Sequence, residues 1–155
     1  MDNLTPSHYR RVAVESASPA GLVILLYDRL VVDLQQAIAS MRSGSIESRC
    51  LHLKHGFQVL QQLQSMLNME QGGAAAQSLC DFHNYARAQM LQAQIRQSAE
   101  MLEQLIALVL QVRQAWQTVD AGHPRAEARQ VSAGMSSPNA YAMTAEHNSS
   151  SAWTV

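Results

Sequence analysis

The chain has 155 residues and a formal net charge of −1, and this length is enough for one domain with a sizeable core. Like charges cluster no further than Arg10–Arg11, which argues against the basic stripe of a nucleic-acid binder and the polybasic patch of a lipid binder. No uninterrupted apolar run exceeds six residues, whereas a membrane span needs roughly 20, and no secretory signal begins the chain. We therefore expect a cytoplasmic protein with no membrane insertion and no nucleic-acid partner.

An N-terminal arm is predicted over residues 1–17, because no sustained helical period occurs there. The first helix is predicted to begin at Ser18-Pro19. Serine can cap a helix through its hydroxyl group, and proline suits the first helical position. The helix should end near Arg42, since Gly44 suits the left-handed residue that follows many helices.

Three further helices are predicted over residues 45–69, 74–97 and 98–119, where apolar residues recur at intervals of three or four. Ser45 and Ser98 are the predicted N-caps of helices 2 and 4. The two glycines at 72 and 73 have neither a preceding strand nor a following Gly-Lys-Ser/Thr, so we interpret them as a helix connector and not as a phosphate loop.

The C-terminal composition changes from residue 121 onward, where Gly, Pro, Ser and Asn dominate and no period survives. This pattern predicts a disordered tail over 121–155. Helices of about 20 residues joined by short connections run antiparallel to their neighbours. The predicted fold is therefore all-α, an antiparallel up-down four-helix bundle over 18–120 with an N-terminal arm and a disordered C-terminal tail.

Catalytic and metal-binding patterns are weak in this sequence. His52 and His55 lie one turn apart on helix 2, but no Glu-x-x-His motif accompanies them, so partly exposed polar positions are the simpler interpretation, also for His83. Cys80 precedes His83 by one turn, with no third group to orient the imidazole. We expect no enzyme activity, no metal and no cofactor. A metal-binding bundle that uses His52 and His55 stays a distant alternative.

Apolar residues outside the core-facing stripes are the remaining functional signal. With Leu30 at the centre of the buried side of helix 1, Leu25 and Val32 project on nearly the opposite side. Helices 2 and 3 also carry surplus apolar residues, among them Tyr85 and Leu91. Such residues are either scattered surface positions, which are normal, or parts of a groove for a partner's apolar helix.

Four motifs follow one another along the chain: Tyr9–Pro19 with its Val-x-x-x-Ser-Ala-Ser-Pro, Leu-Tyr-Asp at 26–28, VLQQLQSMLNMEQGG at 59–73, and the run into Trp116. In this order and spacing they resemble the FliS family, the flagellin-specific export chaperones of bacterial flagellar secretion. The resemblance covers nearly all of the predicted ordered region.

The resemblance implies a chaperone that binds the disordered C-terminal segment of flagellin in the cytoplasm. Family members wrap this segment around the bundle, which prevents premature polymerisation and keeps the client competent for export. The flagellar export apparatus is a further candidate partner. Departures from the family pattern, such as Arg29 after Leu-Tyr-Asp and Gly56 in place of a small alanine, bear on which flagellin is bound more than on the chaperone role.

The predicted partner-binding surface lies on the arm and on helices 1 to 3, and replacing Leu25 with a charged residue is expected to impair binding more than folding. The predicted surface consists of Tyr9, Val12, Leu25, Phe57, Leu60, Leu79, Phe82, Tyr85 and Leu91. The alternative from a different class is a structural helical bundle that self-associates through the same faces and has no flagellin client.

Overall fold

The computed structural model describes residues 17–122, and what is predicted for residues 1–16 and 123–155 lies outside this range. Almost all of the described residues are helical, and no strand occurs among them. The four helices are α1 (Pro19–Ser43), α2 (Ile46–Ser65), α3 (Met69–Arg96) and α4 (Ala99–Gly122).

The helices form an up-down four-helix bundle, as predicted. Helix α1 packs extensively against both α2 and α4, while α3 closes the bundle through smaller contacts with the same two helices. Polar contacts show the antiparallel order: Asp28 near the start of α1 pairs with Arg113 late in α4, whereas Arg42 at its end pairs with Glu103 early in α4. The all-α fold is therefore confirmed, whereas the predicted arm and tail fall on residues outside the description.

Helix α1 begins and ends as the sequence indicates. The Ser18 hydroxyl accepts a hydrogen bond from the Gly21 backbone N–H at 2.9 Å, which satisfies one of the donors left free at a helix N-terminus. Gly44 follows the helix with φ of 73° and ψ of 13°, a left-handed conformation in which glycine has no Cβ to clash.

The connection between α2 and α3 differs from its prediction. Helix α2 ends at Ser65, four residues before the predicted end at Met69. The cause is Asn68, whose side-chain oxygen accepts hydrogen bonds from the backbone N–H groups of Glu70 and Gln71 and so starts a new helix. A kink at Gly73, with φ of 48° and ψ of −128°, separates this first turn from the rest of α3.

The core lies between all four helices and is filled mainly by aliphatic side chains. Gly56 on α2 is buried where the helices approach closely. A Cβ atom at this position would lie 2.8 Å from Met90 Cε and 3.4 Å from Leu30 Cδ1, so a larger residue would require the end of the Met90 side chain to shift. The largest fully buried apolar residues are Tyr27, Leu30, Leu34, Leu53, Leu60, Met90, Leu102, Leu105 and Val109.

Candidate partner-binding surface

Tyr27 and His83 form a buried hydrogen bond that crosses the bundle from α1 to α3. The Tyr27 hydroxyl lies 2.8 Å from His83 Nε2, and both residues are only 1% exposed. The interpretation of His83 as a partly exposed position is therefore wrong. A histidine can occupy this core position because its Nε2 has a hydrogen-bond partner in Tyr27, although its buried Nδ1 has none among residues 17–122.

The environment of this pair keeps both groups neutral near pH 7. Burial lowers the pKa of His83 to about 4, and the guanidinium of Arg87 acts in the same direction. Burial also raises the pKa of the Tyr27 hydroxyl far above its ordinary value. The Sγ atom of Cys80 accepts a hydrogen bond from Gln64 at 3.3 Å, so Cys80 and His83 have separate hydrogen-bond partners in this structure.

Asp33 is the buried acid between α1 and α2. Its side chain is 1% exposed, with His55 Nδ1 at 2.5 Å from Oδ2 and Arg29 Nη2 at 3.1 Å from Oδ1. His52 Nδ1 lies further away, at 4.0 Å. A buried carboxylate needs such partners, because an isolated charge inside a protein is strongly unfavourable. Sequence reasoning missed Asp33, although an acid inside the apolar stretch of helix 1 was the available signal.

The two histidines of α2 therefore have a structural role in this bundle. His52 and His55 face the carboxylate of Asp33, and the guanidinium of Arg29 lies on the same carboxylate. Within residues 17–122, no three His, Cys, Asp or Glu side chains form a group that could hold a metal ion.

The predicted partner-binding residues occupy different environments. Leu60 needs correction, because it is 0% exposed. Its spacing of four from Gly56 and three from Leu63 places it on the core-facing side of α2. Tyr9 and Val12 lie outside the described residues. Of the others, Leu25, Phe57, Leu79 and Phe82 are half-buried, and Tyr85 and Leu91 are exposed.

A groove of about 680 Å³ runs between α2 and α3. Phe57 lines it from α2 and Gln94 lines it from α3. Leu91 and Ile95, which are 52% and 67% exposed, lie one turn apart on α3. Leu91 follows Arg87 by four residues and precedes Gln94 by three, so the helical repeat places it next to the groove-lining side of α3. Gln94 donates a hydrogen bond to Cys50 Sγ at 3.6 Å across the groove. The groove thus combines the Phe57 ring with amide, sulfur and cationic groups.

A second apolar surface lies on the outer side of α1. Leu25 is half-buried and Val32 is 42% exposed, and the two are seven residues apart on the same helix side. The core-facing side of α1 is occupied separately by residues such as Leu30, which is fully buried. This side of the helix therefore has apolar surface that is not buried in the bundle core.

The predicted residues do not form one continuous patch. Tyr85 and Leu91 are six residues apart on α3, which separates their directions by about 120° around the helix. Phe82 and Leu79 lie nearer the core, and Phe82 packs beside the His83 ring at a centroid distance of 6.0 Å. The predicted residues therefore fall on more than one surface, which include the α2–α3 groove with Phe57 and the outer side of α1 with Leu25.

The helices of the described region are not suited to crossing a bilayer. None of them is both long enough and apolar enough to be a candidate membrane span. Each helix instead combines a buried side with a polar or mixed outer side, as is usual in a bundle of amphipathic helices.

Comparison with known proteins connects this bundle to flagellar secretion. The chain is 28% identical to the flagellar secretion chaperone FliS of Vibrio cholerae over 79% of this chain and 93% of the relative. It is 28% identical to the flagellar secretion chaperone FliS of Salmonella typhimurium, over 72% of this chain and 86% of the relative. It is 26% identical to the flagellar secretion chaperone FliSB of Pseudomonas aeruginosa, over 70% of this chain and 89% of the relative.

This chain also matches the shared sequence pattern of a protein family over the same region. The family described as "Flagellar protein FliS" matches residues 1–123, which include all four helices and the segment that precedes them. This match covers well over half of the chain. The chain belongs to the flagellar protein FliS family, whose relatives named above are flagellar secretion chaperones.

Proposed function

We propose that the chain is a flagellin-specific export chaperone that binds the C-terminal segment of flagellin in the cytoplasm. The observation that supports this function best is the pair of apolar surfaces on different sides of a bundle whose core is already complete. One short peptide occupies one groove, whereas a long segment that wraps around the bundle can use both surfaces. This function needs no catalytic group, and the export apparatus is a second partner to which the loaded chaperone delivers its client.

The energetics favour a broad and weakly polar contact. A disordered segment that folds on binding loses roughly 2–5 kcal/mol to ordering. Burial of apolar surface offsets this cost at roughly 25 cal/mol per Å². The exposed aliphatic residues Leu91, Ile95 and Val32 provide such area without breaking the bundle. Covering the corresponding apolar faces of flagellin would prevent their self-association before export.

Removing the C-terminal segment of flagellin is expected to abolish binding. The last ~40 residues of the client, which span about 60 Å as helices, are long enough to reach both surfaces. Purified monomeric flagellin with and without this end should be compared by isothermal titration calorimetry. Binding that survives the truncation would contradict the proposal, and association of this chain with itself in the absence of any flagellin binding would favour the self-associating bundle.

A charged residue at Leu25 is expected to impair flagellin binding more than folding. Leu25→Asp places a carboxylate on the outer side of α1, so we expect binding about tenfold weaker, equal to about 1.4 kcal/mol. The free energy of unfolding should fall by about 1 kcal/mol or less, because the core is untouched. Calorimetry and urea denaturation measure the two effects, with Gln104→Asp at an exposed position of α4 as the control. A collapse of stability would mean that Leu25 is a core residue.

A further inference from the structure

The charged residues of the bundle are distributed unevenly between its interfaces. Around α1, guanidinium groups are paired with carboxylates: Arg29 with Asp33, and Arg113 with Asp28. The groove between α2 and α3 differs, because Lys54 and Arg87 line it and no Asp or Glu is among its lining residues. Within residues 17–122, neither of these two cations forms an ion pair with a carboxylate.

Arg87 is held in place by neutral partners. Its Nη1 atom donates hydrogen bonds to Gln64 Oε1 on α2 and to Asn84 Oδ1, the latter at 3.2 Å. These contacts fix the direction of the guanidinium but leave its charge unneutralised. The lowered pKa of His83, to which Arg87 contributes, is consistent with such a charge. Lys54 is the only lysine of the chain and is exposed on the opposite wall of the groove.

The apolar residues around the groove define the rest of its specificity. Phe57 lies on the α2 wall. On α3, the exposed residues Leu91 and Ile95 are four residues apart, and Leu91 follows the groove-lining Arg87 by one turn. Side chains at such spacing match the i, i+3 and i+4 anchors of an amphipathic helix. A helix seated between these walls would have its apolar side against them and its flanks beside Lys54 and Arg87.

We infer that the α2–α3 groove binds an acidic amphipathic helix of the flagellin client, with client carboxylates placed next to Lys54 and Arg87. This inference rests on the flagellin-binding function proposed above and adds the chemistry of the bound segment. Apolar anchors supply contact area, whereas the complementary charges fix register and orientation and raise the association rate. An uncharged helix of equal apolarity would bind this groove with less discrimination.

Reversing the charge of Lys54 tests the inference directly. Lys54→Glu is expected to weaken binding of full-length monomeric flagellin by about tenfold, since an attraction at the groove edge becomes a repulsion. The difference from wild type should shrink at high ionic strength, where charges at the surface are screened. Arg96→Glu is the matched control, because Arg96 is exposed and lies nine residues after Arg87, half a turn away around α3.

A rescue experiment separates charge pairing from any change in fold. Each Asp and Glu in the last ~40 residues of flagellin, a span of about 60 Å if helical, is replaced singly by Lys. At least one such client should bind the Lys54→Glu chaperone more tightly than wild-type flagellin does. Circular dichroism and urea denaturation check that Lys54→Glu and Arg96→Glu are as stable as the wild-type chain within about 0.5 kcal/mol.

The possible results distinguish this inference from the proposed function. If flagellin binds Lys54→Glu as tightly as wild type, or if no client variant rescues it, the charge pairing is wrong while the chaperone function stands. If flagellin binds neither the wild-type chain nor the Lys54→Glu variant, the proposed function and this inference are both wrong. A change in the sedimentation of Lys54→Glu in the absence of flagellin would show that a second copy of this chain is the occupant, which also overturns the inference.

Discussion

Replacing Leu30 with alanine is expected to lower the free energy of unfolding by about 3–5 kcal/mol. Leu30 is 0% exposed and lies at the close approach of α1 and α2, with its Cδ1 near the backbone of Gly56. The substitution removes three buried carbon atoms and leaves a cavity that the rigid helices cannot fully close. Domains of this size are stable by only about 5–15 kcal/mol, so the loss would be a large share of the total.

Urea denaturation monitored by circular dichroism measures this effect. Val32→Ala is the matched control, because Val32 is on the same helix but 42% exposed. Its loss should be within about 1 kcal/mol, since little buried surface is removed. A loss below about 1 kcal/mol for Leu30→Ala as well would contradict the placement of Leu30 at the centre of the core.

Lowering the pH below neutrality is expected to destabilise the bundle through His83. The folded-state pKa of His83 is about 4, compared with an ordinary value of 6.5. Between these values the unfolded chain binds more protons than the folded chain, so stability falls as the pH falls. Above pH 6.5 His83 is neutral in both states and the free energy of unfolding is unaffected by its titration. From pH 6.5 down to pH 4 the free energy of unfolding falls by an amount on the order of 3 kcal/mol because of His83.

The physical cause is the burial of the imidazole. The protonated ring carries a hydrogen on both nitrogens, of which Nδ1 is buried with no hydrogen-bond partner within residues 17–122, and the Arg87 guanidinium would repel the new charge. An NMR titration of the His83 ring measures the folded-state pKa directly. Urea denaturation at several pH values measures the stability, and His83→Gln, which cannot titrate but can still bond Tyr27, should lose less over the same window. A His83 that titrates near pH 6.5 would refute this prediction.

Helix limits were predictable where one local signal dominates. Ser18, Pro19 and Gly44 define α1 through capping and backbone preference, and these effects act within a few residues. The α2–α3 connection was harder, because Leu67 and Met69 continue an apolar pattern that favours a longer helix 2. The Asn68 cap ends that helix through two hydrogen bonds, which periodicity alone does not reveal.

The candidate surface was only partly predictable. Phe57 and Leu60 are three residues apart and both fit a core-facing stripe, yet Leu60 is fully buried while Phe57 lines the α2–α3 groove. The difference depends on how closely α3 approaches α2, a distance between helices and not a property of either helix. The same holds for His83, whose burial depends on Tyr27 of a helix far away in the chain.

The amino-acid sequence by itself determined four amphipathic helices, their antiparallel order and membership of a chaperone family, because capping, periodicity and family motifs are all local in the chain. Only the tertiary structure decided which apolar residues are core and which remain at the surface. It also decided that Asp33 lies against Arg29 and His55, while Lys54 and Arg87 form no ion pair with an acid of residues 17–122. Burial and ion pairing depend on distances between helices, and those distances arise only when the helices pack.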